Sequence, residues 1–392
     1  MKILFVALPG SVHTVRWINQ ISSLNWDIHF FPSTDLFLYN DFPTDLTAHL
    51  IIQQRRSDAR QTGLWYPFKR GDRLRILITK IHNYFLKRAQ RLANLIKELK
   101  PDLVHSLEMQ SASYLTMEAK RILDSQNITF PKWIYSCWGN DIYLFGKKLE
   151  HIPLIREVLA NCNFLITDCH RDIELAENFG FLGDCVGIFP TGGGFEIDKF
   201  QTYAQTPVNS RKVIALKGIQ GRGHGQQGLV GLEALNKCSD LIRNYEIIIY
   251  LASPDVAERA EKMKKDLQMN ITLLPQSHHD QMMKLMGRSK IAIGLSLSDG
   301  IPNTMLEAMA MGAFPIQSDT GSTAEWITDG QNGFLVPAED SEAVAQAIKR
   351  AVNEDKMITS AAEYNTQYIK AKLDRSKVQS EVINMYQEVF AK

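Results

Sequence analysis

The chain has 392 residues, 45% of them apolar, enough for two domains that each bury a core. Its net charge of +1 gives no electrostatic case for nucleic-acid binding, and no apolar run approaches the length of a membrane span. Five cysteines without a CxxC spacing argue against a disulfide framework or a zinc site, so a reducing cytoplasm is the expected setting and no metal is expected.

In chain order, short β-rich apolar runs alternate with longer helical patterns, as in parallel sheets joined by crossover helices. The opening run, residues 1–8, is too short for a signal peptide and reads as a first buried strand, Ile3–Leu8, followed by the turn Pro9-Gly10-Ser11. Further strands are predicted at Asp27–Phe31, Leu103–His105, Trp133–Ser136, Phe164–Thr167 and Val186–Phe189. Between the second and third of these, residues 55–100 carry 13 Lys or Arg against Asp58, Asp72 and Glu98. Leu74, Leu77, Ile81, Phe85, Leu92, Leu95 and Leu99 follow helical spacing there, near Trp65, Tyr66 and Phe68. Such a segment is either a basic amphipathic helix suited to an anionic membrane surface or a core-packed helix with a solvated back.

Two histidines of this first half could work as bases or sit as ordinary structural residues. His105 closes a strand, His170 lies at a helix start in Thr167-Asp-Cys-His-Arg-Asp172, and neither role is decided by the sequence. Phe189-Pro-Thr-Gly192-Gly193-Gly194 ends the last strand of the first series, as a cleft wall or a simple turn. The polar, aperiodic stretch 199–211 reads as a linker between a domain 1–198 and a domain 212–369, with a final helix near 370–392.

The second series of strands is predicted at Val213–Leu216, Glu246–Leu251, Ile271–Leu274, Ile291–Leu295, Phe314–Gln317 and Gly333–Val336. The first of them runs into Lys217-Gly218-Ile-Gln-Gly221-Arg222-Gly223, where small residues let the backbone approach a phosphate and two cations can clamp it. The glycines do not spell GxGxxG, which disfavours a dinucleotide-binding loop. His278 and His279 precede a helix and read as a solvated pair. Ser298-Asp299-Gly300-Ile-Pro302-Asn303-Thr304-Met305-Leu-Glu307 then sets two carboxylates around a helix start, with Gly312 as its C-terminal cap. The amides of Asn303, Thr304 and Met305 would face a pyrophosphate, favoured by unpaired N–H groups and the helix dipole, and Glu307 could accept from sugar hydroxyls.

This segment resembles the signature of the retaining GT-B glycosyltransferases, in which two acidic residues flank seven others before a helix ending in Gly. The resemblance continues through Thr320-Gly-Ser-Thr-Ala-Glu325 and Asp329-Gly330-Gln-Asn-Gly333-Phe-Leu-Val-Pro337. It implies two Rossmann-like α/β domains facing across a cleft, with the last helix crossing back onto the first. It also implies that Glu307 holds the nucleotide ribose, that the first acid, Asp299 in place of the usual Glu, positions the donor sugar, and that Gly10 and Ser11 lie beside the reacting phosphate. Lys217 and Arg222 keep the family's five-residue spacing of Arg and Lys with the order exchanged. In Tyr135-Ser-Cys-Trp138-Gly139-Asn140-Asp141 the family's Gly and Asp are kept, but Trp138 replaces a His. A Trp ring can stack on a sugar face but cannot accept a proton.

The expectation is a cytoplasmic glycosyltransferase, peripheral on the inner membrane face if the basic segment docks there. It would move a sugar, without a metal, from a nucleotide diphosphate sugar, UDP-linked by expectation, to a hydroxyl acceptor such as a lipid-linked glycan in bacterial surface polysaccharide assembly. Asp299, Lys217 and Arg222 would be catalytic, and Glu307, Gly300, Asn303, Thr304, Met305 and Gly218 would bind the donor. The acceptor side would take Gly10, Ser11, His105, Trp138, Asp141 and His170. A nucleotide-sugar 2-epimerase of the same fold and a non-catalytic sugar-nucleotide-binding protein are the alternatives.

Overall fold

The computed structural model describes residues 1–54, 57–64, 87–204, 206–221, 225–275 and 277–392. They form two compact units, one of residues 1–193 with 378–392 and one of residues 194–377. The polar stretch 199–211 lies inside the second unit, where Phe200 and Val208 are buried.

The first unit is built on eight parallel strands, β1 (Lys2–Ala7), β2 (Asp27–Pro32), β3 (Thr47–Ile52), β4 (Arg60–Leu64), β5 (Leu103–Leu107), β6 (Lys132–Ser136), β7 (Phe164–Thr167) and β8 (Asp184–Ile188). Their order is β4-β3-β2-β1-β5-β6-β7-β8. The central strands are buried almost throughout because helices cover both faces of a parallel sheet. All but one residue of β1 is buried, and every residue of β5. The edge pair β3 and β4 has no counterpart in the expected strands, and β4, Arg-Gln-Thr-Gly-Leu, is mostly exposed, so ladder pairing rather than burial defines it.

The second unit carries β9 (Val213–Lys217), a two-residue ladder of β10 (Gln220–Gly221) with β11 (Gln226–Gln227), then β12 (Glu246–Tyr250), β13 (Ile271–Leu274), β14 (Ser289–Gly294), β15 (Phe314–Ser318) and β16 (Phe334–Val336). Its main sheet is parallel, in the order β13-β12-β9-β14-β15-β16. The chain moves outward from β9 to β12 and β13, then returns to β14 on the other side, so the strand order reverses between β9 and β14. Ligands of open α/β sheets bind outside the strand carboxyl ends at such a reversal. In the first unit the reversal falls between β1 and β5.

The last helix, Arg375–Ala391, buries Val378, Val382, Met385, Tyr386 and Val389 in the first unit's core with Ile3, Phe5 and Trp17. Its Tyr386 hydroxyl accepts from Trp17 Nε1 at 2.9 Å and donates to His105 Nδ1 at 2.6 Å. The remaining His105 nitrogen, Nε2, then carries the proton shared with Ser136 Oγ at 2.8 Å. Tyr386→Phe would strand two buried polar groups at once. We expect it to lower the unfolding free energy by about 1–3 kcal/mol in urea titration; an unchanged midpoint would refute the bridging role.

Candidate functional site

In the second unit the chemistry collects at the carboxyl edge of the sheet, beside the reversal. Lys217 is the last residue of β9 and half-exposed. Gly218 follows, its N–H donating to Tyr250 O and its carbonyl accepting from Ser253 N–H. A Cβ on Gly218 would stand 2.5 Å from Ile249 Cγ2 and 2.9 Å from Ala252 Cα, so only glycine lets this turn lie against the loop after β12. The returning Gly-rich turn is stitched to the strand end of β14, with Gln227 N–H donating to Leu295 O and Leu297 N–H to Gly225 O. Arg222, the second cation expected here, lies outside the described residues.

The loop after β14 holds Asp299 half-buried, with Oδ1 accepting the Gly300 N–H at 2.9 Å. Behind it the Thr320–Ser322 turn is packed so closely that a Cβ on Gly321, at φ 73°, would lie 2.1 Å from Asp299 O. Thr320 Oγ1 donates to Ser296 O, and Ser318 Oγ accepts from Ser296 N–H. The Thr-Gly-Ser-Thr stretch thus braces the Asp299 loop from below. The Asp329–Gly333 turn is also structural: buried Asn332 spans Trp326 O, Thr328 N and the Asn365 side chain.

Pro302 stands at the N-cap rather than at the first helical position, and the helix is Asn303–Ala310. Its first two amides, Asn303 and Thr304, have no intrahelical acceptor available. Met305, expected to offer a third, bonds back to Pro302 O at 2.9 Å. The Thr304 side chain bonds the buried Tyr250 hydroxyl, whose pKa is raised by burial first and by the nearby Glu307 charge. Glu307 is buried on the first full turn of this helix, and its Oε1 lies 2.9 Å from Nε2 of His279. His279 is therefore not part of a solvated pair; its ring also stands edge-on to Phe200, with centroids 5.3 Å apart.

The first unit's candidates divide by burial. Gly10 is exposed at the carboxyl end of β1, and Ser11 caps the helix Val12–Asn19, its Oγ accepting from His13 N–H at 3.2 Å. Trp138 is half-buried with its edge against His13, at 5.8 Å between centroids. Asp141 is buried, and its Oδ2 accepts from Met109 N, Trp138 N and the Tyr135 hydroxyl. Burial first, then the Glu108 carboxylate, push its pKa well above the usual carboxylate range. His170 is an exposed residue opening the helix His170–Asn178. Two residues past it, Asp172 pairs with Arg171 at 2.8 Å, so the buried trio Asp168, Cys169 and Asp172 has a cation already in place.

His105 is fully buried, and desolvation lowers its pKa from 6.5 to about 3. It is a neutral core imidazole with both nitrogens engaged, not a base facing a ligand. Glu108, one residue past β5, was not singled out by sequence. It is buried at φ 75° and ψ 159°, a conformation close to glycine-only, and its carboxylate accepts from the amides of Ser111 and Ala112.

Residues 2–169 match the family described as glycosyl transferase 4-like, and residues 232–368 match the one described as glycosyl transferases group 1, so the two matches take in all of the first sheet but β8 and all of the second main sheet but β9. The chain is a glycosyltransferase of the GT-B fold. Sucrose-phosphate synthase from Thermosynechococcus elongatus superposes with a TM-score of 0.67 at 14% identity, over 100% of both chains. HepE of Anabaena, solved with UDP and glucose, gives 0.67 at 15% identity over 99% of this chain and 100% of its own. A glycosyltransferase from Rickettsia africae gives 0.65 at 15% identity over 99% and 98%. A comparison with curated protein sequences finds no match. No described helix of this glycosyltransferase is long and apolar enough to cross a membrane.

The glycosyltransferase keeps His105 neutral, which gives its stability a pH signature. The folded pKa lies below the unfolded one, so the neutral ring's contribution is complete above pH 6.5 and is lost as pH falls toward about 3. The thermal midpoint should fall more steeply from about pH 6.5 downward in the wild type than in His105→Gln; parallel profiles would contradict the assignment.

Proposed function

We propose that this glycosyltransferase transfers a sugar, with retention of anomeric configuration, from a UDP-sugar to a hydroxyl acceptor. The observation that carries the donor half is Glu307, a buried carboxylate held by His279 behind two open helix amides, on the helix that follows β14, the strand paired with β9 and its terminal Lys217. A ribose diol suits such a carboxylate, because both hydroxyls donate to it through charge-assisted hydrogen bonds. The diphosphate would meet the Asn303 and Thr304 amides. Loss of the nucleotide diphosphate leaves negative charge growing on a phosphate oxygen, and Lys217, with Arg222 from the Gly-rich turn, would stabilise it without reorganisation. The pair supplies the charge a metal would otherwise bring, so turnover should persist in EDTA.

Asp299 would position the donor sugar, its carboxylate fixed by the Gly300 amide and its backbone by Gly321. Attack on the face the leaving group departs from lets the leaving phosphate oxygen take the acceptor proton. Such a step requires no histidine at Trp138, whose ring is left to stack on a sugar. HepE and the pneumococcal O-GlcNAc transferase GtfA, both solved with UDP, favour the uridine nucleotide. For the acceptor we propose a lipid-linked glycan of bacterial surface polysaccharide assembly, met at the inner membrane face. Its support is the excess of ten positive charges in residues 55–100. Residues 55, 56 and 65–86 of that segment lie outside the described ones; in the helix Arg88–Leu99, Ala89, Leu92, Ala93 and Ile96 are core residues.

Calorimetric titration with UDP tests the donor half. Glu307→Ala should weaken binding by about tenfold or more, since it removes a charged acceptor worth about 1.5–3 kcal/mol. His279→Ala should weaken it less, and Asp299→Ala should spare UDP while lowering turnover. Lys217→Ala should cost about 10²–10³ in rate. UDP affinity unchanged in Glu307→Ala would remove the ribose assignment, and an epimerised nucleotide sugar released without any acceptor would replace transfer by epimerisation.

A further inference from the structure

The helix that carries Glu307 has a second end, and a recess of about 450 Å³ opens there, walled by the segment 201–211, the helix end at Ala310–Gly312 and the helix Asp355–Leu373. Its volume falls within the range of small-molecule sites. Arg211 lines it, a residue only 6% exposed. Its Nε donates to Thr206 O at 2.9 Å, and its Nη1 donates to Ser289 O at 3.1 Å and Met311 O at 2.9 Å. All three partners are neutral carbonyls. Among the described residues no carboxylate pairs with this guanidinium, and Nη2 has no protein acceptor.

A buried cation without a counter-ion is costly unless something completes it. The carbonyl end of the helix offsets part of that cost, and burial lowers the Arg211 pKa to about 10. What stays without a protein partner is Nη2, on a residue that lines the recess. Ala204, Ala310 and Ala362 give the recess an apolar wall, while Thr366 donates its hydroxyl proton to Ala362 O and so keeps its lone pairs for a ligand hydroxyl. Glu363, also lining the recess, is exposed and outside ion-pair reach of Arg211.

We infer that this recess binds a small hydroxylated organic anion, a phosphate ester or a carboxylate, with its oxyanion on Arg211 Nη2 and its body against the alanine wall. The site is distinct from the donor site. The two lie at opposite ends of an eight-residue helix, about 12 Å apart along its axis.

The test is calorimetric titration of the full chain in excess UDP, so that the donor site does not report, with glycerol 3-phosphate, glycerate and glycerol as the three probes. We expect saturable binding of one or both anions, with a dissociation constant on the order of 1 mM or tighter, and none of glycerol. The phosphate and carboxylate arms identify the head group. Arg211→Gln should weaken the binding by about tenfold or more. Since Arg211 also ties Met311 and Ser289 together, Ala362→Phe is the second variant, filling the recess with the guanidinium left in place. It should abolish anion binding and leave UDP affinity at the wild-type value. Failure of both anions to bind, or binding that survives Ala362→Phe, overturns the proposal. The readout compares recess variants with wild type in one buffer, so it does not depend on the donor assignment.

Discussion

A parallel sheet buried on both faces leaves the chain only its strand ends on which to place polar chemistry, and the second unit depends on that constraint. The middle residues of β9, β12 and β14 are apolar, and β9 and β15 turn polar only at their carboxyl ends, at Lys217 and at Gln317 and Ser318. At the order reversal between β9 and β14 two carboxyl ends diverge, and a ligand can enter between the loops they feed. Lys217 and Gly218 leave one of them, and Asp299 and the Glu307 helix leave the other. The glycines serve this geometry more than they serve flexibility. Gly218 admits the loop after β12, and Gly321 lets one turn press on the backbone of Asp299.

The two units treat their polar residues differently. In the second, Glu307 bonds one side-chain partner, His279, through a single carboxylate oxygen. In the first, Asp141 and His105 are saturated: three donors converge on one Asp141 oxygen, and both His105 nitrogens are bonded. Saturation makes them structural pins. Asp141 ties the end of β6 to the segment after β5, and His105 ties the sheet to the last helix through Tyr386. That segment begins at Glu108, whose strained backbone persists because its carboxylate satisfies the amides that follow it.

Much of this was legible in the sequence. The twelve expected strands are all present, because short β-rich apolar runs bounded by turns and alternating with helical patterns point to strands of a parallel sheet. The pair β3 and β4 escaped, since β4 owes its form to a neighbour and has no apolar pattern of its own. Within the site, spacing placed Asp299, Glu307 and Lys217 at strand and helix ends, as local rules allow. His279 was misjudged for the opposite reason. Its bond to Glu307 joins residues 28 apart, and a histidine before a helix looks the same whether it meets water or a buried carboxylate. Tyr386 and His105, 281 residues apart, carry no local signal at all.

The most direct test of the central claim is a crystal structure of the protein with a bound UDP-sugar. The account requires both ribose hydroxyls within hydrogen-bond reach of Glu307, the diphosphate against the amides of Asn303 and Thr304, and Lys217 on a phosphate oxygen. A nucleotide seated elsewhere, with Glu307 bonded only to His279, would contradict it.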